Sequence, residues 1–283
     1  MRSLRFVLLL LAVLVLSAVL SPWVAWELEA LVGRPFTFSR VWNRVFEVLL
    51  AVALPLAWRR LDLGGLAAIG FRRAHWTRDL ARGFTAGIAG LGVGLALCWA
   101  GGAVTPQLRF DAGKTVRKAL LGAGAAAAVG VGEEALFRGV VLRRLSLDLG
   151  RAAGVGVTTG IYAAVHAIGK SEKIARPTVT AGFERLRTLV APLGRRKALP
   201  MLLGLAWFGL LLVWARVRSG GLWLPIGIHA GWVAVFRVGR LFFEIQPQPV
   251  WLVGPGWPPV IGGAAGCAAV VVTWLVLRRA PRR

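Results

Sequence analysis

Residues Ala119 to Gly139 read ALLGAGAAAAVGVGEEALFRG. A neutral run rich in Ala and Gly leads into two adjacent carboxylates, Glu133 and Glu134, and Arg138 follows in the next turn. An ionisable side chain near the centre of a membrane-spanning helix costs about 2.5–3.5 kcal/mol on insertion scales, so each charge here needs a partner or a task. On a helix Glu134 and Arg138 share a face and can pair. Glu133 points about 100° away around the axis and has Phe137 as its own i+4 neighbour, so its carboxylate must find a partner on another helix.

The rest of the chain has the character of this run. Of its 283 residues, 57% are hydrophobic, and the mean hydropathy of +0.68 is far too high for a soluble globular domain. Windows long enough to cross roughly 30 Å of hydrocarbon recur throughout, over residues 6–25, 41–58, 83–104, 119–142, 152–169, 199–215, 221–243 and 257–277. Trp23, Trp26, Trp58, Trp99, Trp223, Trp251, Trp257 and Trp274 fall near their ends, as interfacial aromatics do. The expected fold is all-α, a polytopic integral membrane helix bundle with about eight transmembrane helices, forming one domain over residues 1–283. The second window is the weakest, because Asn43, Arg44 and Glu47 shorten its apolar part. The first follows a short basic start but lacks a clean small-x-small cleavage site before Trp26, so it is expected to be a retained helix.

Close packing is expected where small residues recur, in GIAGLGVG (Gly87 to Gly94), GAGAAAAVGVG (Gly122 to Gly132) and GGAAG (Gly262 to Gly266). The long polar connection 170–197 contains FERLRTLVAPL, which sets Phe183, Leu186, Leu189, Val190 and Leu193 near one helical face. That pattern suggests an amphipathic helix over 183–193 lying on the membrane surface, although Pro192 interrupts it. The net charge of +23 comes mostly from Arg in short connections, with no aromatic-basic module on a soluble fold, so no nucleic-acid partner is expected. The basic residues divide almost evenly between the two sides and favour neither orientation strongly. Cys98 and Cys267 both lie in apolar windows and offer neither a disulfide framework nor a metal cluster.

The chain contains 3 histidines. Two of them, His166 and His229, lie within apolar windows, the first in GIYAAVHAIG and the second in LPIGIHAGWVAVF. Tyr162 shares the face of His166. The carboxylate of Glu133 and two imidazoles can then meet at membrane depth, a combination suited to acid/base activation of a water molecule. Other readings stay open: an intramembrane His is often only a helix contact, and a lone Glu can serve a proton path. No HExxH is present, no window contains an Asp pair, and Ser219 in VRSGG lacks a G-x-S-x-G elbow, so Ser219 with His229 makes a poor nucleophilic pair.

GEEALFRG, then YAAVH, then HAGWV resembles the signature of the CPBP family, the membrane-embedded proteases named for CAAX prenyl endopeptidases and bacteriocin-processing proteins. The resemblance covers a motif core over 119–240, with EExxxR intact as Glu133, Glu134 and Arg138. It implies an intramembrane endopeptidase in the plasma (inner) membrane of a prokaryote, surrounded by lipid and acting on a membrane-associated peptide or protein. Glu133, His166 and His229 would be catalytic, with Glu134, Arg138, Tyr162 and Trp232 in support. Tyr162 stands where Phe is usual, and Val233 where many relatives have Asn, which removes one oxyanion donor and leaves that task to His229, Trp232 Nε1 or water. A metal-free mechanism is favoured, while Glu133, His166 and His229 also have the ligand types of an open zinc site, as in a metalloendopeptidase. The alternative is a non-enzymatic membrane partner, immunity-like or scaffold-like, that keeps the bundle without turnover.

Overall fold

The computed structural model describes residues 2–34, 36–167, 177–189, 198–255 and 259–279. In chain order its helices are α1 (Arg2–Val32), α2 (Phe38–Ala57), α3 (Leu66–Ile69), α4 (Trp76–Ala100), α5 (Ala112–Glu134), α6 (Leu142–Leu149), α7 (Arg151–Ala167), α8 (Ala181–Leu189), α9 (Leu199–Ser219), α10 (Trp223–Gly239), α11 (Val250–Val253) and α12 (Ala264–Arg278). A π-helical segment, Ala135–Val141, joins α5 to α6 without a break. The fold is all-α apart from two three-residue strands, β1 (Val104–Pro106) and β2 (Phe243–Ile245), which pair antiparallel with Val104 opposite Ile245.

Helix covers part of every expected window, but length and composition separate them. Among the described residues, four helices are long and apolar enough to cross a membrane: Ser3–Val32, Trp76–Ala100, the continuous Ala112–Leu149 and Leu199–Ser219. α2 is long enough but includes Arg40, Arg44 and Glu47, and α7, α10 and α12 have 17, 17 and 15 residues. Parts of the expected fifth and eighth windows, Trp257, and residues 190–193 of the expected surface helix lie outside the described residues.

The chain divides into two compact units, residues 1–64 with 167–195 and residues 65–166 with 196–283. In the first, α1, α2 and α8 pack around Ala25, Phe38, Val41, Trp42 and Ala181. Trp26 Nε1 donates to the carbonyl of Pro177 at 3.0 Å, tying the chain before α8 to α1. Phe183 is exposed whereas Arg185 is buried, its guanidinium 5.9 Å from the centre of the Trp42 ring. α8 thus buries Arg185 beside Leu186, since a cation over an indole can be sheltered where an isolated charge cannot.

The second unit is organised by glycine. Gly83 lies against the carbonyl of Leu224, and a Cβ on Gly87 would fall 2.5 Å from the carbonyl oxygen of Ile228. These two contacts advance together along both chains, so α4 and α10 run parallel with their backbones touching. From the other side, a Cβ on Gly231 would stand 2.6 Å from the carbonyl oxygen of Phe84. Gly227 and Gly231 form a small-xxx-small stripe on the face of α10 opposite His229, which lets van der Waals contact hold the helices together where lipid gives no hydrophobic drive. Further along α4, Gly94 meets Ala265 and Gly90 meets Thr273 of the antiparallel α12.

Adding a side chain to this seam has a predictable cost. Gly87→Leu forces two backbones apart and is expected to destabilise the second unit by about 3 kcal/mol, the upper range for overpacking. Gly92→Leu, one helical step off the seam with nothing within 4 Å of its would-be Cβ, is expected to be near neutral. Thermal unfolding of the two variants in the same detergent compares them.

Candidate active site

The two carboxylates close α5, and the backbone changes pitch directly after them. Arg138 in the π-helical segment still reaches back one turn, its Nη1 donating to Glu134 Oε1 at 3.0 Å. Its Nη2 donates to the carbonyl of Gly209 on α9 at 3.1 Å. Gly209 permits this approach, because a Cβ there would lie 3.2 Å from Tyr162 Cδ1 and 3.5 Å from Arg138 Nη2. Glu134 and Arg138 are sealed, with side chains 0% and 1% exposed. In such surroundings the pair holds only because each charge meets the other and further hydrogen bonds besides.

α7 and α10 supply the histidines. The turn at Gly150, with φ of +83°, sends α7 back along α6, and Gly154 backs directly onto Ser146. This brings His166, near the end of α7, level with Glu133. His166 Nε2 lies 2.9 Å from Glu133 Oε2, and His229 Nε2 lies 3.8 Å from the same oxygen. His229 is 5% exposed, whereas Glu133 and His166 are 31% and 22% exposed and can be reached from outside the unit.

The other nitrogen of each ring fixes its protonation. His166 Nδ1 is 2.9 Å from the carbonyl of Tyr162, which can only accept, so Nδ1 carries the proton. His229 Nδ1 is 2.8 Å from Glu134 Oε1, the same oxygen that accepts from Arg138, so this ring also donates from Nδ1. In their neutral forms both rings therefore turn an unprotonated Nε2 toward the Glu133 carboxylate. Three acceptors converge, with one ligand atom from each residue lying within 4.8 Å of the others. Oε2 of Glu133 is buried and has no hydrogen bond of good geometry. Such a cluster is stable only with something positive or proton-donating among its members: an imidazolium, a water, or a cation.

Aromatic rings pack the cluster in place. The Tyr162 ring is 4.2 Å from that of His166, centre to centre, and it also receives the Arg138 guanidinium at 4.2 Å. Phe208 stands edge-on to His229 at 5.7 Å and stacks on Trp232 at 4.3 Å. Trp232 Nε1 donates to Thr273 Oγ1 at 3.3 Å, so its one donor is engaged within the bundle. Val233 is partly buried on the next step of α10.

Residues 115–235 match the family described as type II CAAX prenyl endopeptidase Rce1-like. This match supports the CPBP resemblance carried by GEEALFRG, YAAVH and HAGWV. The match covers just under half of the chain and includes Glu133, Glu134, Arg138, His166 and His229. The matched family is one of proteases, and four of the described helices are long and apolar enough to cross a membrane. No curated protein and no solved structure matches it.

The CPBP motif was legible in the sequence, but the bond from Glu134 to His229 was not. The pattern presents Glu134 only as the partner of Arg138, while in the fold its Oε1 serves both Arg138 and His229. The clue lay in burial: a carboxylate has more acceptor capacity than one guanidinium contact uses, and a fully buried one calls for a second donor.

Proposed function

We propose that this CPBP-family protein is an intramembrane endopeptidase in which Glu133 and the two histidines activate water against a peptide bond. The observation that carries the reading is the convergence of His166 Nε2 and His229 Nε2 on Glu133 Oε2, at 2.9 and 3.8 Å. Glu133, assisted by His166, takes a proton from a water molecule that attacks the scissile carbonyl. His229 stabilises the oxyanion by donating from Nε2 as an imidazolium, its ring held in place by the Glu134 carboxylate on Nδ1. The proton held by Glu133 then passes to the departing amine, leaving a carboxylate and an amine. Glu134 and Arg138 orient His229 and anchor α5, and Tyr162 holds His166 through its carbonyl. Since Val233 lacks an amide and the Trp232 indole is occupied by Thr273, the oxyanion role falls to His229.

The same residues fit a zinc ion. Each histidine donates its Nδ1–H to an oxygen acceptor and presents Nε2, the arrangement that orients metal-bound imidazoles, and Glu133 adds a carboxylate oxygen. Zinc held by Glu133, His166 and His229 would supply a more acidic water and Lewis-acid polarisation of the carbonyl. The metal-free reading expects purified protein with less than one equivalent of zinc and cleavage unaffected by a chelator. Stoichiometric zinc, with chelator-sensitive cleavage, transfers the same residues to the metal mechanism.

The reading includes a bundle of about eight helices crossing the plasma (inner) membrane of a prokaryote, behaving as one domain, and a membrane-associated peptide or protein substrate. The contrasting reading, a non-enzymatic membrane partner, draws on Val233. Glu133→Gln separates the two, since a scaffold keeps its cellular phenotype after that substitution and a protease loses it.

A further inference from the structure

A second group of charged side chains lies apart from the Glu133 cluster, at the end of the second unit where α9 stops and α10 begins. Arg216 is half-buried near the end of α9, and the positive charges of Arg72 and Arg143 both act on it. The guanidinium of Arg216 packs over Gly70, where a Cβ would lie 2.8 Å from Arg216 Cζ. Gly70 has φ of +114°, so only glycine gives this approach without strain. Arg72 Nη1 lies 3.6 Å from the would-be Cβ of Gly220, in the turn that opens α10. Arg143 reaches the same place from the start of α6, and its Nη1 donates to the carbonyl of Ala68 at 3.3 Å. The Nε–H groups of Arg143 and Arg216 are sheltered and donate to nothing among the described residues.

Three guanidinium groups drawn together repel one another, and an anion bound among them would offset that repulsion. Guanidinium forks match phosphate oxygens, whereas the two helix ends at this turn, the C-terminus of α9 and the N-terminus of α10, oppose each other in sign. An aromatic group marks the level of the cluster. The rings of Phe71 and Trp76 lie 5.4 and 5.3 Å from that of Trp223, and Trp223 Nε1 donates to the carbonyl of Arg72 at 2.8 Å. Tryptophans placed this way, next to a helix start and beside arginines, belong at the headgroup level of a bilayer.

We propose that Arg72, Arg143 and Arg216 form a binding site for the headgroup phosphate of an anionic phospholipid. Basic pockets between helices at the membrane boundary suit such a ligand, and each arginine near the surface contributes about a fivefold gain in affinity. The inference does not depend on the protease reading, since the site shares no residue with the Glu133 cluster.

Full-length protein in nanodiscs tests it, with native mass spectrometry counting retained lipids. Wild type from phosphatidylglycerol discs is expected to keep one lipid more than from phosphatidylcholine discs, and Arg72→Gln/Arg143→Gln/Arg216→Gln to lose that lipid. Arg72→Gln alone, at an exposed position that leaves the core intact, is expected to weaken retention about fivefold. Lys114→Gln/Lys118→Gln, at the start of α5, is expected to retain the lipid as wild type does. Equal retention by wild type and both arginine variants overturns the proposal. So does a phosphatidylcholine sample whose thermal stability rises with inorganic phosphate as much as with phosphatidylglycerol, because the site would then take free phosphate.

Discussion

Glu133→Gln is expected to reduce cleavage by about 10²–10⁴-fold while the protein stays folded, the range for removing a positioned general base. The amide keeps the shape of the side chain and its partial exposure, but it cannot take a proton from water. The fold should barely notice, because Glu133 lies outside the buried pair: Glu134 and Arg138 are sealed, whereas Glu133 is 31% exposed. Thermal unfolding within a degree or two of wild type, together with peptide bonds that stay uncut in the membrane proteome, is the expected pair of results. A similar loss is expected for His166→Gln, which removes the imidazole whose Nε2 lies 2.9 Å from the carboxylate. His229→Gln should act on both activity and stability, since His229 also satisfies Glu134.

Arg138→Met is expected to be the most damaging single change to stability, at about 3–5 kcal/mol, because it strands the Glu134 carboxylate in a site with no exposure. Two hydrogen bonds go with the guanidinium, one to Glu134 and one to the Gly209 carbonyl that joins α9 to the site. The double variant Glu134→Gln/Arg138→Met removes both charges and is expected to recover most of the loss, as expected when the cost is an unpaired buried ion. It should not recover activity, because the double variant removes the carboxylate that accepts from His229 Nδ1 and the guanidinium that fixes that carboxylate. Thermal unfolding and cleavage measured on the same four proteins, wild type, two single variants and the double, separate the stabilising role of the pair from its orienting role. If the double variant is as unstable as the single one, the ion pair is not what holds this helix.

Much of the site could be read in the sequence because burying charge in lipid is so costly. Glu133, Glu134, Arg138, His166 and His229 stand out among apolar neighbours, and helical spacing alone pairs Glu134 with Arg138. Contacts between distant segments leave no such local trace. Nothing near Glu134 announces His229, which arrives from α10. The π-helical segment after Glu134 was also invisible, because residues 135–141 carry no local pattern that separates a wider turn from an α-helical one. Glycine was half legible. Gly87, Gly90 and Gly94 of α4 and Gly122 and Gly130 of α5 do meet other helices, but Gly92, Gly124 and Gly132 in the same stretches face open space. Composition shows that close approach is allowed, and the partner decides where it happens. The strands Val104–Pro106 and Phe243–Ile245 are too short, at three residues each, to set up an alternating pattern that could be recognised.

The central claim is that Glu133, His166 and His229 direct a water molecule at a peptide bond, and the oxygen of that water can be followed. Membranes containing wild type or Glu133→Gln are incubated in H₂¹⁸O, and new peptide C-termini are quantified by mass spectrometry. The account predicts a set of C-termini carrying ¹⁸O in wild type and missing from Glu133→Gln. The same labelled termini in equal amounts from both proteins would contradict it.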